Sequence, residues 1–333
     1  MKIRQTMKRA SAFVLGMLTI ASLAACTPSP KASEDPSDSP VVTTDQENRI
    51  RQEIIKTISK ADSDRDVNAL KARMEGPALQ VRTSQLTIAQ KNNKLDSSAT
   101  IPDSLSQSVV STSASWSRTL YAITTVTDQQ QSQRLLVMNQ DSATSNYKIW
   151  GLVRLFSGVQ MPKFNVATIG SEQGDAKTEG LVKTPEAALR EYADVLEKGS
   201  SSEYAKNFAD DAFRQQVTTL TESVQKAIEQ NEGSQSQKYT AETKDIKVLR
   251  TADGGALIVG EIKSVWTRTA GGNRKSMPAS EGETALFGDA EATGTLEVTY
   301  VNEVALYIPA AGASDAQLRA VGAERQPVSV QAK

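Results

Sequence analysis

The chain has 333 residues, with 38 basic and 39 acidic side chains, one cysteine and no histidine. The near balance of charge leaves no basic excess for nucleic acid. The missing histidine excludes Ser-His-Asp and Cys-His catalysis and zinc held by a Cys/His cluster, and a single cysteine excludes an internal disulfide.

Lys2, Arg4, Lys8 and Arg9 form a basic head with no acid. Residues 10–22 follow as an uncharged apolar run, and small residues close it. That order predicts a secretory signal peptide over residues 1–25. The run is too short to span a ~30 Å hydrocarbon layer, which takes about 20 apolar residues. Without the four signal cations the mature chain holds 34 basic against 39 acidic residues, near −5.

The stretch Leu23-Ala24-Ala25-Cys26 resembles a bacterial lipobox. The resemblance covers residues 1–26 and implies cleavage between Ala25 and Cys26, with a diacylglyceryl group on the Cys26 thiol. The protein would then be held by acyl chains at the extracytoplasmic face of the membrane. Each buried CH₂ contributes about 0.8 kcal/mol, so two chains hold far better than one. Residues 27–44 are rich in Pro, Ser and acids, and with Cys26 they predict a disordered tether over residues 26–44, reaching roughly 50 Å.

From Asp45 a helical period begins. Ile50, Ile54 and Ile58 share one face, and Val67, Leu70 and Met74 continue it up to a break at Gly76-Pro77. Leu79, Leu86 and Ile88 predict a weaker helix, and residues 92–115 read as a polar loop. Strands are predicted over residues 118–126, 134–138 and 147–156. A turn-rich stretch at residues 170–180 places a boundary there, giving domains at 45–175 and 184–333 with a linker at 176–183.

Thr184-Pro185-Glu186 opens the next helix, with Thr as N-cap and Pro in the first turn. Ala188, Leu189, Tyr192 and Leu196 form its stripe. Tyr204 and Phe208 predict a second helix, and Phe213, Val217, Leu220, Val224 and Ile228 a third. Strands are predicted over 246–249, 257–266 and 295–308, the last with strict alternation and one wetter face.

The two halves pair with each other. A shift of 134 residues matches Leu70 with Tyr204, Met74 with Phe208, Leu79 with Phe213 and Leu86 with Leu220. A shift of 152 matches Leu152 with Val304, Leu155 with Tyr307, Gly170 with Gly322 and Glu172 with Glu324. Residues 271–294, with five glycines, account for the difference as an insertion lying away from the core. The expected fold is α+β, as two tandem repeats. Each repeat has two or three helices packed on a curved antiparallel sheet. That arrangement looks like the cone-shaped nuclear-transport-factor-2-like fold. The chain as a whole resembles lipoproteins of actinobacteria that carry no assigned chemistry.

Residues 62–66 (Asp-Ser-Asp-Arg-Asp) start like a calcium loop, but Val67 and Arg73 occupy the positions that need Gly and Glu, so a capped turn is expected. Ser223-x-x-Lys226 matches a nucleophile–base spacing without its supporting motifs. Asn302 interrupts the apolar face of its strand and Arg154 sits among Trp150, Leu152 and Phe156, so these two are the candidate ligand-pocket residues. No catalytic residue, metal or cofactor is expected. The expected role is a non-catalytic binding or scaffolding module of the cell envelope, whose partner is an envelope protein or a wall component. The alternatives are a transporter's substrate-binding lipoprotein, or a carboxylate-dependent wall enzyme using Asp210, Asp211 or Glu261.

Overall fold

A computed structural model describes residues 39–113, 115–126 and 132–333. The signal peptide, the cleavage position Ala25/Cys26, the Cys26 lipidation and tether residues 26–38 lie outside the described residues. Residues 39–43 are already part of the body, so the expected tether boundary at residue 44 moves back. The Val41 N–H donates to Ser111 O at 2.9 Å, and Val41 and Val42 pack on the first core. Thr43 forms a capping box with Gln46: each side chain accepts the other's backbone N–H.

That box starts α1 (Thr44–Asp64), which buries Ile54 and Ile58 and ends on Arg65 in the left-handed region. A one-turn helix α2 (Val67–Leu70) follows, capped by Asp66. The expected break at Gly76-Pro77 instead opens α3 (Gly76–Asn92), because a proline in the first turn lacks only an N–H that the helix would leave unpaired. Gly76 has φ +56°, and a Cβ there would lie 2.6 Å from Trp150 Nε1.

Four antiparallel strands come next: β1 (Leu105–Thr112), β2 (Arg118–Thr124), β3 (Arg134–Gln140) and β4 (Lys148–Arg154). Strand β5 (Ser171–Gly174) pairs parallel to β1. The second half also places helices before strands, with one further helix between its second and third strands. It runs α4 (Pro185–Lys198), α5 (Ala212–Glu229), β6 (Ser234–Arg250), β7 (Ala256–Thr269), α6 (Glu281–Phe287), β8 (Thr295–Ile308) and β9 (Arg319–Ala332). Around Tyr204 the expected helix is two 3-10 turns, Gly199–Ser201 and Ala205–Asn207.

The nine strands form one sheet in the order β4-β3-β2-β1-β5-β6-β7-β8-β9. Its edges meet: Phe156 N–H donates to Val321 O at 3.0 Å beside a bridge from Leu155 to Gly322. The sheet is therefore nearly closed. Tyr121, Val137, Val153, Leu257 and Tyr307 fill its inside. Helices α1–α3 cover the outer face of the first meander, and α4–α5 that of the second.

The α+β class is as expected. The expected linker at 176–183 does not separate two bodies: β5 ties both meanders into one sheet, and the described residues form one compact unit. Both faces of β2, β3, β4 and the second part of β8 are covered, so buried residues run on continuously there. In β8 the expected alternation holds from Thr295 to Tyr300, where Thr295, Glu297 and Thr299 are half-buried, but every residue from Tyr300 to Ile308 is buried, so Glu303 is not on a wet face.

Each half clasps the start of its last strand in the same way. Arg73 O and Glu75 N–H bond the backbone of Ile149 at 2.9 and 3.0 Å, and Asn207 O and Ala209 N–H bond that of Leu318 at 2.9 Å each. Arg73 and Glu75 lie 134 residues before Asn207 and Ala209, the shift read from the sequence, whereas the strand residues they hold, Ile149 and Leu318, are 169 apart. The 152-residue register is not reproduced, because it pairs β4 with the third strand of the second meander, whereas the clasps pair β4 with β9. The segment 271–294 does fall between β7 and β8, opposite the shorter β2–β3 connection, but it is not peripheral. Its helix α6 buries Glu283 against Arg268, and Leu286 and Phe287 pack by Trp266.

Candidate functional site

Helix α3 serves both halves. Its Leu86 is buried in the first core, while Ser84 Oγ donates to Pro327 O on β9 at 2.5 Å. After α3, Asn93 turns the chain through a left-handed conformation into a 3-10 turn, Ser97–Ala99, capped by Asp96. Between α3, this turn, the start of α6 and the β4–β9 seam lies a cleft of ≈ 540 Å³. Gln85, Lys94, Asp96 and Glu281 line it from the helices and turn, and Arg154 and Glu324 from the strands.

Charge is concentrated at that seam. Glu324 Oε2 takes Arg134 Nη1 at 2.5 Å and Arg154 Nε at 3.6 Å. Arg134 is buried and also donates to Ser98 O, whereas Arg154 keeps over a third of its side chain in solvent. Beneath the turn, Arg82 donates to Ala99 O at 2.7 Å and faces Asp62 at 3.7 Å. Burial lowers the Arg82 and Arg134 pKa values, opposed by Asp62 and Glu324 respectively.

Glu324 sits directly opposite Glu303 on β8, which sits opposite Glu261 on β7. Like charges placed so are unfavourable. Glu303 resolves this. It is fully buried, and burial, with Glu324 and Glu261 adding to it, pushes its carboxyl up to about 8 against the Leu152 N–H and Arg134. The Leu152 N–H donates to its Oε1 at 3.1 Å, and its Oε2 has no hydrogen-bond partner. At neutral pH it is therefore mainly protonated. Burial also raises Glu261, with Lys263 opposing at 3.6 Å. Glu303 is sealed behind the seam, so Glu324 is the member of the row that faces the cleft.

Of the two sequence candidates, Arg154 lines the cleft and Asn302 does not. Asn302 lies one residue from Glu303 and so on the opposite sheet face, where its Nδ2 donates to Ile262 O at 2.7 Å and Ser264 Oγ at 3.1 Å. Arg154 also does not share a face with Trp150. A bulge between Ile149 and Gly151 turns Trp150 into the barrel, while Leu152 stays on the helix side. Sequence reasoning missed Glu303, Arg134 and Arg82. The signal for Glu303 was there, as an acid within the run Val301 to Ile308.

The remaining candidates have structural partners or are exposed. Asp211 caps α5 and accepts the Tyr192 hydroxyl at 3.0 Å, Asp210 is exposed, and Asp66 caps α2. Ser223 and Lys226 are exposed on α5. Among the described residues no group of three or more acids could hold a metal, and no helix is long and apolar enough to cross a membrane.

Residues 38–329 match the model of a family described as Domain of unknown function (DUF8094). The chain belongs to this family. The match spans both halves, so the DUF8094 domain is the whole nearly closed body and the seam cleft lies within it. No curated protein and no solved structure matches the chain.

Proposed function

We propose that the DUF8094 body is a non-catalytic binding module, carried on a lipid anchor at Cys26 on the outer face of the membrane. Its site is the seam cleft. The observation that carries this reading is the Arg154–Glu324 pair lining a polar cleft, with guanidinium capacity left over. Such a surface suits a polar, hydroxyl-rich ligand such as a wall glycan. The sealing of Glu303 weighs against the two-carboxylate enzyme, which needs both groups at the substrate. Antiparallel meanders in place of βαβ lobes weigh against a transporter's binding protein.

Two experiments test the reading. Cys26→Ser should move the protein into the medium or leave an uncleaved precursor. A properly cleaved variant that stays with the membrane sinks the anchor. The body should also sediment with purified cell-wall material, and Arg154→Ala should weaken that by tenfold or more. Equal sedimentation of both proteins sinks the cleft.

The two halves also read as a tandem duplication of a cone-like unit of the nuclear-transport-factor-2-like kind. The helices-before-strands order of both halves and the matched clasps support it. The pair Leu86 and Leu220 does not, since the first is buried and the second 37% exposed. Superposing β1–β4 on β6–β9 in sequence order tests it. A better match in another strand order sinks it.

A further inference from the structure

The outer face of the second meander holds a second polar cluster, apart from the seam cleft. Adjacent strands bring Tyr239, Ser264 and Tyr300 into one row, with Asn302 and Arg325 paired beside them. The Arg325 guanidinium stacks on the Tyr300 ring at 3.7 Å from its centroid, and the Trp266 ring lies 5.8 Å away.

Arg325 forms no ion pair among the described residues, and its buried Nε and Nη2 make no hydrogen bond. The nearby carboxylate, Glu283, is committed to Arg268 and to the Tyr300 hydroxyl. Asn302 Nδ2 is spent on Ile262 O and Ser264 Oγ, which fixes the amide orientation and leaves Oδ1 buried without a donor. Buried donors of a cation and a buried acceptor side by side are costly unless something fills both needs.

We propose that this cluster binds a small oxyanion carrying a hydroxyl, such as a hydroxy-carboxylate or a hydrogen phosphate. The anion oxygens accept from Arg325 Nε and Nη2, and the ligand hydroxyl donates to Asn302 Oδ1. Cross-strand partners stand about 5 Å apart, which suits one ligand of this size. The aromatic rings of Tyr300 and Trp266 hold the guanidinium plane in place. Helix α5 is anchored on the sheet by Phe213 and Val217, its Thr221 accepts from Gln235 and Gln237 on β6, and Val224 is the partly buried α5 residue that packs against this patch.

Iodide is a suitable probe, because it is an anion that quenches tryptophan. Trp116, the exposed tryptophan, is first replaced (Trp116→Phe), leaving Trp150 in the barrel interior and Trp266 in the cluster. At constant ionic strength, iodide should quench saturably and caesium should not. Inorganic phosphate and glycolate should each displace iodide, and their ratio tells a phosphate preference from a carboxylate one. Acetate, lacking the hydroxyl, should need about tenfold more. Arg325→Met should leave only weak quenching linear in iodide. Linear quenching in the Trp116→Phe protein, or no displacement by either anion, overturns the site. Both of those readings are independent of whether Arg325→Met folds. Equal displacement by acetate and glycolate overturns the role given to Asn302.

Discussion

Gly322 lies against Arg154 so closely that a Cβ at position 322 would stand 2.5 Å from the Arg154 carbonyl oxygen. This contact is where the sheet closes and where the cleft has its strand side. Gly322→Ala must push β9 away from β4, and overpacking of this kind costs about 1–3 kcal/mol. Chemical denaturation should show that loss. Wall sedimentation should weaken with it, because Arg154 and Glu324 would part. An Ala variant of wild-type stability would mean the seam is loose.

Glu303 should make stability fall as pH rises. Unfolded, its carboxyl titrates near 4.5, and folded, near 8. Between those values the native state holds a proton that the unfolded chain has released. The full contribution is present below 4.5 and is lost as pH climbs through 8. Glu303→Gln imitates the protonated form and should remove this slope. The two proteins should match at pH 4 and differ by on the order of 3–5 kcal/mol at pH 9, the variant being the more stable. Parallel stability curves over that range would refute it.

Local signals were legible where one physical cause dominates. Thr184-Pro185 started α4 as expected, and β8 has its expected ends, because capping and β-branched runs act locally. β1 was missed because Ser106, Gln107 and Ser108 hide a strand that the sheet pairs on both sides. The buried arginines and Glu303 were hidden for a related reason. Their setting comes from the closing of the sheet, which brings β4 against β9 over a long stretch of sequence. The same limit shows on α5. Period alone set Phe213 and Leu220 on one stripe, yet the sheet reaches only the first. Phe213→Ala should cost about 3–5 kcal/mol, and Leu220→Ala about 1 kcal/mol or less. Similar losses for both would mean α5 packs along its whole length.

The connection 271–294 gives the last prediction. Its length suggested a loop that could be trimmed cheaply, as loop-closure entropy alone would allow. The structure places Glu283 from this segment in a buried pair with Arg268, and Glu283 also takes the Tyr300 hydroxyl at 2.8 Å and the Ala279 N–H at 2.8 Å. Removing Glu283 strands Arg268 beside Trp266 without its carboxylate. Breaking one side of a buried pair costs about 3–5 kcal/mol, mostly through the charge left behind. Glu283→Ala should therefore destabilise by that amount. Arg268→Met together with Glu283→Leu should recover much of it, since neither charge then remains buried. Equilibrium denaturation of the two single variants and the double variant measures the coupling. Additive losses would show that the pair does not hold α6 in place and that the segment is as dispensable as its glycine content suggests.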